Sequence, residues 1–278
     1  MPVSASPAAA IDPTPLVHLA VDVARQAADL LLEGARHERR SVETKSSLTD
    51  MVTEMDRASE QLIVSALLAA RPDDGILGEE GSELPGTSGI RWVIDPLDGT
   101  TNYLYDHPGW AVSIAAEAFD AERSQVVAGV VLDVVHDELF TAGLGQGSFR
   151  NGEPIHPSDQ TDLSRSLVAT GFGYRAERRQ AQAEVLVKLL PAVRDIRRMG
   201  AAAVDLCSVA CGRVDAFYER GLSWWDLAAG SLVATEAGAV VSSIQGGPIE
   251  PGSVFAAANG ISGPLRELLG ALGAHDVP

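Results

Sequence analysis

Residues Trp92 to Asn102 read WVIDPLDGTTN and hold the densest chemistry in the chain. An apolar strand ends in a carboxylate at Asp95, turns at Pro96, presents a second carboxylate at Asp98 and turns again through Gly99 to hydroxyl residues. Asp95 and Asp98 flank a proline turn, so both can aim at one point. Two carboxylates aimed together repel unless a cation sits between them. Hard oxygen donors of this kind suit Mg²⁺, which keeps water and substrate phosphate oxygens as its other ligands. The backbone carbonyl of Leu97 is a further donor. Gly99 and Thr100 fall at an expected helix start, where free N–H groups can receive a phosphate. The plain alternative for Asp-Pro-x-Asp alone is a solvated acidic turn; the Gly-Thr-Thr-Asn that follows argues against it.

Three further segments supply acids. Gly78-Glu79-Glu80-Gly81 closes a short apolar strand, so Glu79 stands at a strand end between glycines. In Trp224-Trp225-Asp226, the carboxylate precedes an Ala-rich helix. An N-cap is the simplest reading of Asp226, but the tryptophans imply burial, and a buried carboxylate needs a partner. Between Lys45 and Asp56, Asp50 reads as a loop acid and Asp56 as a helix-start acid, with an ordinary surface loop as the alternative.

Helices and strands interleave around these segments. Apolar residues at helical spacing predict helices over 16–33 and 56–70. Short runs with β-branched content predict strands at 76–78, 91–95, 111–117, 126–133 and 138–143. Asn151-Gly152 is a turn signal, followed by a polar linker to about 164. The second half alternates: strand 166–170, helices 178–191 and 201–211, strand 214–218, helix 225–237, strands 240–243 and 254–257, helix 262–272. The pattern is a layered α/β or α+β arrangement. Residues 1–15, rich in Ala, Pro and Ser, read as a disordered tail, and 16–278 as a single domain with halves of about 16–160 and 161–278.

The chain has 278 residues, 46% hydrophobic, with a formal net charge of −17. That is enough for a large core. The acidity disfavours nucleic acid and anionic membrane as partners. Bound divalent cations would reconcile an acidic protein with an anionic substrate. Two cysteines, Cys207 and Cys211, one helical turn apart, read as small buried hydrophobes rather than a disulfide framework. Met1 to Pro15 lacks the basic and apolar regions expected of a signal peptide, and no run approaches the roughly 20 apolar residues of a membrane span, so neither a leader nor a span is expected. A cytoplasmic location is expected.

GEEG (78–81), WVIDPLDGTTNYLYDHPGWAVSIA (92–115) and WWDLAAGSLVATEAGA (224–239), with KSSLTDMVTEMD (45–56) and GAAAVDLC (200–207), together resemble the inositol monophosphatase family. The resemblance runs from about Leu16 to Leu272. It implies a layered αβαβα sandwich, usually homodimeric, and lithium-sensitive hydrolysis of a small phosphorylated polyol or sugar with two or three Mg²⁺ ions. The family's metal ligands map onto Glu79, Asp95, the Leu97 carbonyl, Asp98 and Asp226. Glu79 and Thr100 match the positions that hold or activate the attacking water, and Asp50 and Asp56 match acids beside it. The substrate side maps onto Asp98, Gly99, Thr100, Ala202, Glu219 and Asp226: the Gly99 and Thr100 amides on the phosphate, the Ala202 backbone and the Glu219 carboxylate on the sugar. Inositol-1-phosphate is the foremost substrate implied. Histidinol phosphate, fructose-1,6-bisphosphate and an inactive homologue serving as a regulatory partner are the alternatives. One departure stands out: Ala201 follows Gly200 where the family often has Ser or Thr. The segment Gly171 to Tyr174 has no assignable substrate contact.

Overall fold

The computed structural model of the chain describes residues 11–36, 42–44, 51–119 and 124–277. α1 (Thr14–Arg36) leads to the paired strands β1 (Val42–Thr44) and β2 (Met51–Thr53), then α2 (Glu54–Ala70). β3 (Gly75–Gly78), β4 (Glu83–Leu84), β5 (Ile90–Asp98), the short α3 (Thr100–Leu104) and β6 (Ala111–Phe119) follow. β7 (Ser124–Asp133), β8 (Glu138–Gly143), β9 (Gly147–Arg150) and β10 (Glu153–Pro154) close the first half. The second half holds β11 (Leu167–Thr170), α4 (Ala176–Leu189), β12 (Asp195–Arg197), α5 (Ala202–Ala210), β13 (Ala216–Arg220), α6 (Trp224–Glu236), β14 (Val240–Ser242), β15 (Ser253–Ala257) and α7 (Asn259–Ala271).

Two sheets organise the molecule, one in the order β10-β9-β8-β7-β6-β5-β3-β4 and one in the order β12-β11-β13-β15-β14. Side-chain alternation divides their faces among three cores. On β5, Trp92 and Ile94 join α1 and α2, whereas Val93 turns to α5 and α6. On β13, Phe217 faces α5 and α6, whereas Ala216 and Tyr218 pack with α4 and α7. The result is the expected αβαβα sandwich. α6, in the central layer, is buried from Leu227 to Ala234, so its apolar residues run all round rather than along one stripe. Its small residues let β7 approach closely: a Cβ at Gly129 would stand 2.8 Å from the carbonyl oxygen of Ala229.

The structure corrects several local expectations. Helix α1 begins at Thr14 rather than Leu16, because Asp12 Oδ1 accepts from the Thr14 amide and Pro15 costs nothing in a first turn. Thus part of the predicted tail is helix, while residues 1–10 lie outside the described residues. The expected turn at Asn151-Gly152, with Asn151 at positive φ, closes a hairpin of β9 with β10, so the expected polar linker begins with a short strand. The strand through Asp95 does not stop at Pro96 but runs to Asp98 with a shift of register between the two acids. Proline is tolerated inside a sheet at such a bulge. Both thiols are free, and no helix among the described residues is long and apolar enough to cross a membrane.

Candidate active site

The register shift in β5 brings Asp95 and Asp98 to one end of the large sheet. A bulge adds residues to one strand and re-aims its side chains. Asp95 Oδ1 accepts from the Leu97 amide at 3.1 Å, which folds the backbone over Pro96. β3 runs parallel to β5, with Gly78 opposite Ile94, and the Glu79 amide donates to the Ile94 carbonyl. Glu79 therefore arrives beside Asp95, and the two carboxylates share a hydrogen bond. The next turn is pinned from α2: buried Glu60 accepts from the amides of Glu80 and Ser82 at 2.8 and 3.0 Å.

Asp98 and Asp226 close the group. Asp98 accepts from the amides of Ala202 and Ala203 at 3.2 and 2.7 Å. It thus caps α5, whose own N-cap, Ala201, has no side-chain group to do so. Position 201 is buried at the start of this helix. Asp226 is not the N-cap of α6. It is the third helical residue, and its carboxylate accepts from the amide of Ser223, the N-cap. The sequence pattern is that of a capping box read three residues late.

Crowding of buried acids holds their protons on. Burial first, then the charges of Glu79, Asp98 and Asp226, pushes Asp95 well above the usual carboxylate range. Asp226 is raised in the same way, by burial and then by Glu79 and Asp98. Burial raises Asp98 to about 7 despite the two amides that favour its anion. Glu219, at the end of β13, is raised by burial to about 8, with Arg198 pulling the other way. Its carboxylate occupies the space a side chain at Gly171 would need.

Thr100 lies where its hydroxyl meets Asp56 Oδ1 at 3.1 Å and the Leu97 carbonyl at 3.2 Å. Asp56 is buried at the start of α2. Asp50, the other acid expected near the water, lies outside the described residues. Gly99, at φ +92°, turns β5 into α3; a Cβ there would stand 3.0 Å from the Gly109 carbonyl. Tyr103 anchors α3, donating to the Leu31 carbonyl and packing edge-on against Trp110.

Glu79, Asp95, Leu97, Asp98, Gly99, Thr100, Ala202, Glu219 and Asp226 all line one cavity of about 400 Å³. Ala202 contributes wall rather than a free amide, since Asp98 takes its N–H. The same cavity holds Trp225 of the Trp-Trp-Asp motif, and Arg178 and Arg198, which the motifs did not single out. Glu60 was also missed; an acid inside an amphipathic helix carries no local sign that it receives two amides from another loop. No group of three or more His, Cys, Asp or Glu side chains among the described residues forms a ready-made ion cage. Asp98 and Asp226 are turned toward backbone amides instead. The donor set nonetheless fits a hard divalent cation: it is oxygen only, and its mutual repulsion is of the kind a cation relieves.

Residues 12–275 match the model of the inositol monophosphatase family. The chain belongs to this family. An inositol-1-monophosphatase of Mycobacterium leprae is 44% identical over 240 residues, covering 82% of this chain and 81% of that protein. The Nus factor SuhB of Escherichia coli K12 is 40% identical over 235 residues, covering 84% and 86%. Among solved structures, the extragenic suppressor protein suhB from Bartonella henselae superposes with a TM-score of 0.86 at 36% identity, covering 92% of this chain and 98% of that one. The family fold is therefore shared nearly end to end.

Proposed function

We propose that the protein is a Mg²⁺-dependent phosphatase acting on the phosphate monoester of a small polyhydroxylated alcohol, inositol-1-phosphate foremost. The observation that carries this reading is the convergence of Glu79, Asp95, Asp98 and Asp226 on one cavity beside the Thr100–Asp56 pair. When bound, Mg²⁺ supplies neutralisation of the phosphoryl oxygens and acidification of an attacking water. Glu79, Asp95, Asp98, Asp226 and the Leu97 carbonyl are the groups that would hold it.

The chain's own residues do the rest. Asp56 fixes the Thr100 hydroxyl, and Thr100 with Glu79 orients water for in-line attack. The Gly99 and Thr100 amides receive phosphoryl oxygens. Glu219 accepts hydrogen bonds from the alcohol's hydroxyls, deep in a wall where water competes poorly. No covalent phosphoenzyme is needed, because the candidate acids are taken up as ligands. Phosphate release from inositol-1-phosphate, histidinol phosphate, fructose-1,6-bisphosphate and an aryl phosphate tests the reading. Turnover with Mg²⁺ and none in excess EDTA is expected, with inositol-1-phosphate ranking highest in kcat/KM. Full turnover in EDTA would sink the metal's role.

The name of the Escherichia coli relative, a Nus factor, favours a second reading in which the protein binds other proteins without turnover. No phosphate release from any ester, with Mg²⁺ binding intact, would leave that reading standing.

A further inference from the structure

Trp224 and Trp225 open α6 side by side but line different cavities. Trp225 belongs to the cavity of the acids, whereas Trp224 lines a second one of about 330 Å³ that shares no lining residue with the first. That volume lies within the range of small-molecule sites. Trp224, Ala228, Ser231 and Thr235 recur at helical spacing, so one face of α6 forms the floor. Leu144, which follows β8, and Ile249, which precedes β15, add apolar wall.

Two features of this lining point to a ligand and to its class. Ser231 is 6% exposed, and its hydroxyl makes no hydrogen bond among the described residues. Buried polar groups are nearly always paired, so an unpaired hydroxyl at a cavity wall favours an occupant that can pair with it. The second feature is charge. Among the described residues no lysine or arginine lines the cavity, and the one carboxylate there, Glu117, is buried and held by Arg91. An anion would be desolvated with no counter-charge, and a cation would find no free carboxylate. The floor also sets a length. Seven residues of helix separate Trp224 from Ser231, about 10 Å at the α-helical rise. Two fused aromatic rings with one polar substituent have a comparable length.

We propose that this cavity binds a neutral aromatic molecule of two fused rings that carries one hydrogen-bonding group. The rings lie against Trp224 between Leu144 and Ile249, and the polar group meets the Ser231 hydroxyl. Ring contact and apolar burial supply the affinity, and the hydroxyl fixes the orientation. The site is independent of the phosphatase reading, because no residue of the acid cavity takes part.

The test uses two probes with the same rings, neutral 2-naphthol and anionic 2-naphthoate. Their binding to wild type, Thr235→Phe, Ser231→Ala and Trp224→Ala is measured by calorimetry, with melting curves to confirm that each variant folds. Wild type should bind 2-naphthol with a Kd on the order of 0.1 mM, as expected for a ligand of this size. It should bind 2-naphthoate about tenfold more weakly, because the carboxylate is desolvated without a partner. Thr235 is exposed, so Thr235→Phe sets a ring in the cavity without disturbing the core, and should weaken 2-naphthol about tenfold. Ser231→Ala removes one hydrogen bond and should weaken 2-naphthol about twofold to tenfold. Trp224→Ala should weaken both probes; if that variant fails to fold, Thr235→Phe decides. No binding of 2-naphthol at about 1 mM would overturn the proposal. So would binding indifferent to Thr235→Phe, which would place the probe elsewhere, the cavity of Trp225 included. Equal affinity for the two probes would overturn the neutral class, and no loss in Ser231→Ala would remove the hydroxyl from the site.

Discussion

Asp98 sits between two demands. Its oxygens accept from two α5 amides, which favours the anion, while burial and the neighbouring charges favour the proton. Asp98→Asn keeps the volume and one acceptor and removes the charge. Phosphate release should fall by orders of magnitude, whereas the melting temperature in EDTA should be similar or higher. Near-normal kcat at saturating Mg²⁺ would remove Asp98 from the site. Glu219 belongs to the same scale but reads substrate. A carboxylate hydrogen bond shielded from water contributes roughly 1.5–3 kcal/mol. Above about pH 8, where the carboxylate is ionised, Glu219→Gln should therefore lower kcat/KM for a polyol phosphate by about tenfold to a hundredfold relative to an aryl phosphate. Glutamine resembles the protonated acid, and the folded protein holds that proton up to about pH 8. The relative loss should thus grow as pH rises through 8. Equal losses on both esters would place Glu219 on the phosphate or the metals.

At the scale of elements, the site depends on two irregularities: the bulge in β5 and the turn after β3. The first re-aims Asp95 and Asp98. The second is held by Glu60, whose two amide partners follow Glu79 directly. Removing Glu60 leaves those part-buried amides without their acceptor, at a cost of about 1–3 kcal/mol at most. Glu60→Ala should lower the melting temperature and also raise the Mg²⁺ concentration needed for half-maximal activity, because Glu79 is then less well positioned. A melting loss with unchanged Mg²⁺ dependence would make Glu60 a purely structural acid.

For the whole molecule, a shared acidic cavity couples stability to pH and to metal. Asp98 and Glu219 hold their protons to about 7 and about 8, above their ordinary 3.8 and 4.5. The folded state therefore binds more protons than the unfolded chain across that window. The stabilisation is complete below about pH 4 and is lost as pH rises through 7 to 8. In EDTA the melting temperature should fall between pH 5.5 and pH 8.5. A ligand that binds only the folded state at a hundredfold excess over its Kd adds about 2.7 kcal/mol, which is several degrees for a domain of this size. Mg²⁺ should raise the melting temperature and flatten the pH slope. A melting curve indifferent to Mg²⁺ at every pH would take the ion out of this cavity.

What the sequence by itself determined is whatever has a local period or a local turn. The β-branched runs became β5 to β8 in place, the helical stripes became α1, α2 and α4 to α7, and the family blocks marked the acids of the cavity. Its errors were also local. Asp226 looked like a cap because helix starts are read from single residues, while Ser223 three positions earlier is the true cap. The short strands β1, β2, β9 and β10 were invisible because two to four residues carry no period. Only the tertiary structure decided partners distant in sequence: Asp98 with the start of α5, Thr100 with Asp56, and Glu60 with the turn after β3. The reason is physical. Such contacts arise from sheet register and layer packing, and neither residue of the pair carries a local mark of the other.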